Sequence, residues 1–547
     1  MLSYFHNPSI LKTQGPPTKP SPANSLGGLL LMACGALALV LSGCTAYAPQ
    51  LAVPLAAPLQ WYAPLPPAVP NAAASPTATP IATPAATSTV TPTLAINVTD
   101  SLPHNGSLSS LSSWWRQQND PLLVDLLEAA QAVSPSIMSA RSNIQQAQAT
   151  RDVSAAALLP TLDAAGTFNR SLPAPVNRTT TPALVNSAQA GLQASWEIDL
   201  FGQNEASMNA DQERFLGAEA KWHEARVLVA AEVASYYYAF RACEKQLAVV
   251  SADARSRLQT SRLTEQLTKA GFAAPATAGL ARASAAEGNS RATQQRAECE
   301  VVVKALSAIT AIGEPALRQK LAQAAPLTIE QGIADISSVP AEVLGQRPDV
   351  YSAARDVAAA SFDVGSARAQ RYPRLSLGGS IASNKTKVRG LSQGFDTWSV
   401  GPIALTVPLF DGGAADANVD AAKARYEEAA GKYQSTVRQA VREVEEALVN
   451  LQSTADRASD TSVAAEGYRA SFEGTQARYQ AGLASLVELE DARRVLLAAQ
   501  SGLISLERER RNAWITLYRA LGGGWSTAAP MAAPMVFSIP QAFLPDW

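Results

Sequence analysis

Residues 188–200 read AQAGLQASWEIDL, and this stretch decides the fold. Ala188, Ala190, Leu192, Ala194, Trp196, Ile198 and Leu200 alternate with Gln189, Gly191, Gln193, Ser195, Glu197 and Asp199. A period of two over 13 residues predicts a β-strand with one apolar face and one wet face. Leu162, Ala164, Gly166 and Phe168 repeat the pattern, as do Leu375, Leu377, Gly379 and Ile381, and a fourth stretch runs from Trp398 to Phe410. Any one of these alone could be a half-buried soluble sheet. If they span a membrane, four strands are too few, because transmembrane barrels need about eight or more. Several copies of the chain must then share one barrel.

Outward from the strands, the chain repeats itself. Leu158-Leu159-Pro160 precedes the first strand pair, and Asp199-Leu200-Phe201-Gly202 follows it. Arg371-Tyr372-Pro373 and Leu409-Phe410-Asp411-Gly412 flank the second pair in the same way. Each half then runs into a long proline-free segment with a turn at Lys269-Ala270-Gly271 or Gln480-Ala481-Gly482. Pro160 and Pro373 are 213 residues apart, and Gly271 and Gly482 are 211 apart. A helix from Ala415 to Tyr479 is about 100 Å long at the α-helical rise. Val437, Val441, Val444, Leu448 and Leu451 give it a heptad stripe. The returning helix carries Leu489, Ala492, Leu496, Ala499, Leu503, Leu506, Arg510, Ala513 and Leu517 in steps of three and four, with Arg510 as the one charged member. These are antiparallel coiled-coil hairpins. Cys243 lies 28 residues before Gly271 and Cys299 lies 28 after it, so the hairpin places them opposite each other. In an oxidising compartment a Cys243–Cys299 disulfide is expected; two buried free thiols are the alternative.

Only 16% of residues are charged, histidines number three, and the formal net charge is −2, which points away from nucleic acid as a partner. The apolar run Leu29 to Leu41 has the length of a signal-peptide core rather than a membrane span, and it ends at Leu41-Ser42-Gly43-Cys44. That box predicts cleavage after Gly43, lipidation of the Cys44 thiol with a palmitate-bearing anchor, and, with Thr45 following, sorting to the outer membrane. An ordinary secretory signal is the alternative. The expected organisation is a signal peptide (1–43) and a lipidated Pro/Ala/Thr-rich tether (44–113). A first repeat (114–311), an equatorial mixed segment (312–345), a second repeat (346–525) and a tail (526–547) follow. Folded structure should begin near Trp114-Trp115.

Arg478-Tyr479-Gln480-Ala481-Gly482-Leu483-Ala484-Ser485-Leu486-Val487-Glu488-Leu489, Arg347-Pro348-Asp349 and Leu409-Phe410-Asp411-Gly412 resemble motifs of the outer-membrane efflux protein family. That family comprises the TolC-like outer membrane factors, and the lipobox matches its lipid-anchored NodT/OprM-type branch. The resemblance spans residues 114–525. It implies a mixed α and β fold in which a homotrimer builds a 12-stranded transmembrane β-barrel, four strands per protomer. A periplasmic α-helical barrel continues it. It further implies a periplasmic adaptor and an inner-membrane pump as partners, no cofactor, and residence in the bacterial outer membrane with lipid attached at Cys44. The adaptor-binding tips fall at Gly271, Phe272, Gly482, Leu483, Ala484 and Ser485. Each glycine is needed equally for the positive φ of a tight turn.

The resemblance places the periplasmic gate at Tyr479, Glu488 and Asp491. Three copies would put six carboxylates around one constriction and favour cations; the alternative is that Glu488, Glu490 and Asp491 stabilise a helix N-terminus. Thr277 stands where the family often has an acid, and Ala484 where some members have a gate arginine. The sequence has no P-loop, nucleophile elbow or metal-spaced His/Cys cluster, and His223 reads as structural, so a non-enzymatic duct for small-molecule efflux is expected. Type I protein secretion and a poreless coiled-coil spacer are the alternatives.

Overall fold

The computed structural model describes Ala63, Trp115, Arg116 and residues 120–174, 182–324 and 341–523. The expected signal peptide, Cys44, nearly all of the expected tether, residues 325–340 and the expected C-terminal tail lie outside the described residues. The elements in order are α1 (Pro121–Val133), α2 (Pro135–Ala156), β1 (Thr161–Ser171), β2 (Val185–Ile198), α3 (Gln203–Lys269), α4 (Pro275–Thr310) and α5 (Glu314–Gln323). A 3-10 turn (Ala341–Gln346) leads to α6 (Pro348–Ala369), β3 (Arg374–Val388), β4 (Leu391–Thr406), α7 (Ala414–Gln480) and α8 (Leu486–Ala520).

The duplication is structural as well as sequential. α2 and α6 each have 22 residues, and α3 and α7 each have 67. Arg347-Pro348-Asp349 stands at the start of α6, whereas no motif marks α2, which has little apolar patterning and buries only Ile137. α6 buries most of its length, since it lies between α3 and α7. α2 packs along α3 and leaves Met138 and Val153 exposed on its other side.

The strands form one antiparallel sheet in the order β1-β2-β3-β4, leaving β1 and β4 as edges. Register aligns the apolar residues of all four strands on one face: Ala164 pairs with Leu192, Leu192 with Ile381, and Ile381 with Trp398. The opposite face carries rows such as Thr167, Gln189 and Asn384. The apolar row is largely open, with Ile381 at 58% and Trp398 at 78% exposure. A soluble sheet would bury that row; a lipid-facing one need not. At Gly191 the β2–β3 approach is close, since an added Cβ would stand 2.4 Å from the Ile381 carbonyl oxygen. β4 differs from the expected Trp398–Phe410 stretch: it begins at Leu391 and ends at Thr406. A two-residue Arg389-Gly390 turn with positive φ at both positions sets the earlier start. Leu409 and Phe410 follow the strand and are exposed.

The largest core lies where α1, α3, α4, α7 and α8 meet, part-way down the helices. Trp115 is buried there, with its ring centroid 5.2 Å from Trp514 and 4.6 Å from Tyr518. Ala63, in the middle of the tether stretch, is held there too: its N–H donates to Glu445 Oε2 at 2.7 Å. The expected mixed collar is helical where it is described, as α5 and the 3-10 turn. Arg347 closes this level by donating to the Ala520 carbonyl at 2.9 Å and pairing with Asp349 and Glu443. The start of α6 is thereby fastened to the end of α8.

Candidate gate and docking tips

Both hairpins turn in the same way. Gly271 (φ 79°) and Gly482 (φ 74°) occupy the left-handed region that ends a helix without Cβ strain. Phe272 N–H donates to the Leu267 carbonyl and Leu483 N–H to the Arg478 carbonyl, both at 2.8 Å. Gly271 N–H and Gly482 N–H reach the Thr268 and Tyr479 carbonyls. These paired bonds form the Schellman closure of a helix C-terminus. The turns push Phe272 and Leu483 outward, at 83% and 71% exposure, and Ala484 is half-buried. Each protomer therefore presents two apolar knobs at one end of its helical body.

The return helices start differently. α4 opens on Pro275 after Ala274, which supplies no side-chain cap. α8 opens on a complete capping box: Ser485 Oγ accepts from Glu488 N–H at 3.2 Å, and Glu488 Oε2 accepts from Ser485 N–H at 3.0 Å. Glu488 is thus a helix cap whose carboxylate remains solvent-exposed. Asp491 is also exposed and pairs with Arg494 at 2.8 Å. Tyr479 is half-buried beside Leu486 and Leu489, and its hydroxyl lies 3.2 Å from Thr264 Oγ1 on the other hairpin.

Between the hairpins lies an ionic cluster that the motif reading missed. Glu490 accepts from Arg257 Nη1 through Oε2 and from Arg493 Nη1 through Oε1, both at 2.5 Å. Ser284 Oγ donates to Glu490 Oε2 at 2.7 Å, and Asp253 holds Arg257 Nε at 2.8 Å. Arg493 also donates to Thr260 Oγ1 at 2.7 Å. α3, α4 and α8 are thereby tied together about two to four turns from the tips. The signal for it was two arginines and an acid near coiled-coil seams, where charge is unusual.

Cys243 and Cys299 are joined as a disulfide across α3 and α4, with Cα atoms 5.6 Å apart. Among the described residues no group of three or more His, Cys, Asp and Glu gathers as metal ligands, and no helix is long and apolar enough to cross a membrane.

An open four-stranded sheet with an apolar face, continued by duplicated 67-residue helices ending in knobbed turns, defines a class. It is that of an outer-membrane channel subunit, which brings four strands and two long helical hairpins to the channel. The chain belongs to the outer membrane efflux protein family, whose model matches residues 126–312 and 339–523. Outer membrane protein OprJ of Pseudomonas aeruginosa is 30% identical over 418 residues, spanning 74% of this chain and 85% of its own length. The solvent efflux pump outer membrane protein SrpC of Pseudomonas putida is 29% identical over 411 residues, spanning 75% of this chain and 87% of its own. Among solved structures, a membrane protein from Pseudomonas aeruginosa is 28% identical with a TM-score of 0.69, covering 74% of this chain and 93% of that one. The outer-membrane channel OprN is 27% identical with a TM-score of 0.69, covering 78% and 96%. The chain is thus an efflux channel component of the bacterial outer membrane, in a family of transport proteins.

Proposed function

We propose that the chain is the exit duct of a tripartite efflux system. It is anchored through lipid on Cys44, docks a periplasmic adaptor at Gly271, Phe272, Gly482, Leu483, Ala484 and Ser485, and passes small hydrophobic compounds delivered by an inner-membrane pump. The observation that carries this reading is the way the duplication leaves its edges open. Within one chain, β2 pairs with β3, and α3 packs against α6 and α8, always first repeat against second. The reciprocal surfaces, β1 against β4 and α2 and α4 against α7, are open in one copy and close a ring when three copies meet. A spacer without a pore has no use for such a ring. Solvent efflux is named for SrpC, and hydrophobic solvents and antibiotics are the corresponding cargo class here.

The gate is assigned to Tyr479, Glu488 and Asp491. Exposed Glu488 and Asp491, repeated threefold, would favour cations at the constriction, and capping by Glu488 is compatible with that role. Glu488→Gln keeps a capping-box side chain while removing its charge; with Asp491→Asn it should reduce single-channel cation selectivity, and unchanged selectivity removes the ring. For the duct as a whole, cells expressing the chain with its pump and adaptor should tolerate toluene better than cells with a bulky insertion after Gly482. Equal tolerance, at equal outer-membrane levels, would refute adaptor docking at the tips.

A further inference from the structure

A cavity of about 120 Å³ lies where α3, α7 and α8 meet, next to the main core and well away from tips and barrel. Its walls are apolar, from Ala242, Ala458, Leu503 and Leu506, yet its other lining residues include five cations: Arg241, Lys245, Arg508, Arg510 and Arg511. Glu507 is the one acid in the lining, and Lys245 holds it at 2.6 Å. Arg241 has a distant partner in Glu244 at 3.7 Å, and the Arg511 guanidinium stacks 4.8 Å over the Tyr238 ring. Arg510 is the residue that interrupts the α8 seam. Its Nε–H is buried without a hydrogen-bond partner, and burial and the neighbouring Arg511 charge both lower its pKa.

A coiled-coil seam gains nothing from an arginine whose buried Nε–H is unmatched and whose charge is opposed by a neighbouring Arg511. The cost is removed if an anion sits between the guanidiniums, and the apolar walls require that anion to carry a hydrocarbon part. We propose that this cavity is a binding site for an amphiphilic anion, a sulfate or carboxylate headgroup on a short alkyl or aryl body, with Arg510 as its principal donor. Such a ligand would cross-brace α3, α7 and α8 at the level where the helical body joins its core.

The test is isothermal titration of the full-length trimer in a neutral maltoside detergent with octyl sulfate, octyltrimethylammonium and inorganic sulfate. Octyl sulfate should bind saturably at one site per protomer, at least tenfold more weakly in Arg510→Met, while the cationic amphiphile gives no saturable site. Ala458→Phe, which fills the apolar part and keeps every charge, should abolish binding also if Arg510→Met fails to assemble. Equal octyl sulfate affinity in wild type and both variants, or the absence of a saturable site, overturns the proposal. Inorganic sulfate binding as tightly as octyl sulfate overturns its amphiphilic half.

Discussion

Glu490 holds Arg257 and Arg493 simultaneously, one guanidinium on each carboxylate oxygen, and both arginines are almost fully buried. Removing one member of a buried ion cluster leaves uncompensated charge, whereas replacing the whole set with apolar groups is often tolerated. Glu490→Gln is therefore expected to destabilise the helical body by about 3 kcal/mol. The triple change Arg257→Met, Glu490→Leu, Arg493→Met should cost clearly less. Thermal unfolding of the two variants checks the order.

The α8 cap gives a smaller and separable effect. Ser485→Ala removes the acceptor for Glu488 N–H and should cost about 1 kcal/mol, while Glu488→Gln should be nearly neutral because glutamine serves in a capping box. Local hydrogen exchange at residues 486–489 measures both.

In the sheet, Gly191→Val places a side chain against the Ile381 carbonyl and Ala382. It should block assembly of the trimer, read as loss of the oligomer band in unboiled gel electrophoresis. Gly166→Ala is the control, since the nearest atom to its added Cβ is 4.0 Å away.

The Cys243–Cys299 bond spans a sequence separation of 56 residues. By loop entropy it stabilises the folded hairpin by up to about 4 kcal/mol, so the double alanine variant should unfold at lower temperature. Labelling denatured, unreduced protein with a maleimide should modify neither cysteine of the pair.

Two acids near Arg347 have opposite pH signatures. Burial raises the Glu443 pKa, but hydrogen bonds from Gln439 and Arg347 outweigh it, so the net shift is downward. Its stabilising contribution is present at neutral pH and is lost as pH falls through the ordinary carboxylate range and then through the lowered folded value. Glu224 is shifted up, by burial first and then by Asp349. Its ionisation penalises the folded state once pH exceeds the ordinary carboxylate range. Glu443→Gln should flatten the acid-side loss of stability, and Glu224→Gln should raise stability at neutral pH. Thermal unfolding from about pH 2 to about pH 8 separates the two.

The fold was legible wherever the pattern is long. Thirteen alternating residues fixed β2, and matched turn glycines at 271 and 482 fixed both hairpins. β4 was misplaced at both ends because Gly401 and the apolar run Val407 to Phe410 blur its period, while Arg389-Gly390 is a weak turn signal. α2 was invisible because it carries no apolar stripe and buries only Ile137. At the gate, Tyr479, Glu488 and Asp491 were reached only through resemblance. The Glu490 cluster depends on three helices converging from residues 253–284 and 490–493, a proximity that no local motif encodes.

What separates a duct from a coiled-coil spacer is that three copies close one water-filled barrel. Single-channel recording of the purified, mass-determined oligomer in planar lipid bilayers tests it most directly. Trimers should insert and give discrete conductance steps, one channel per trimer. Stable trimers that never conduct, or conductance from monomers, would contradict it.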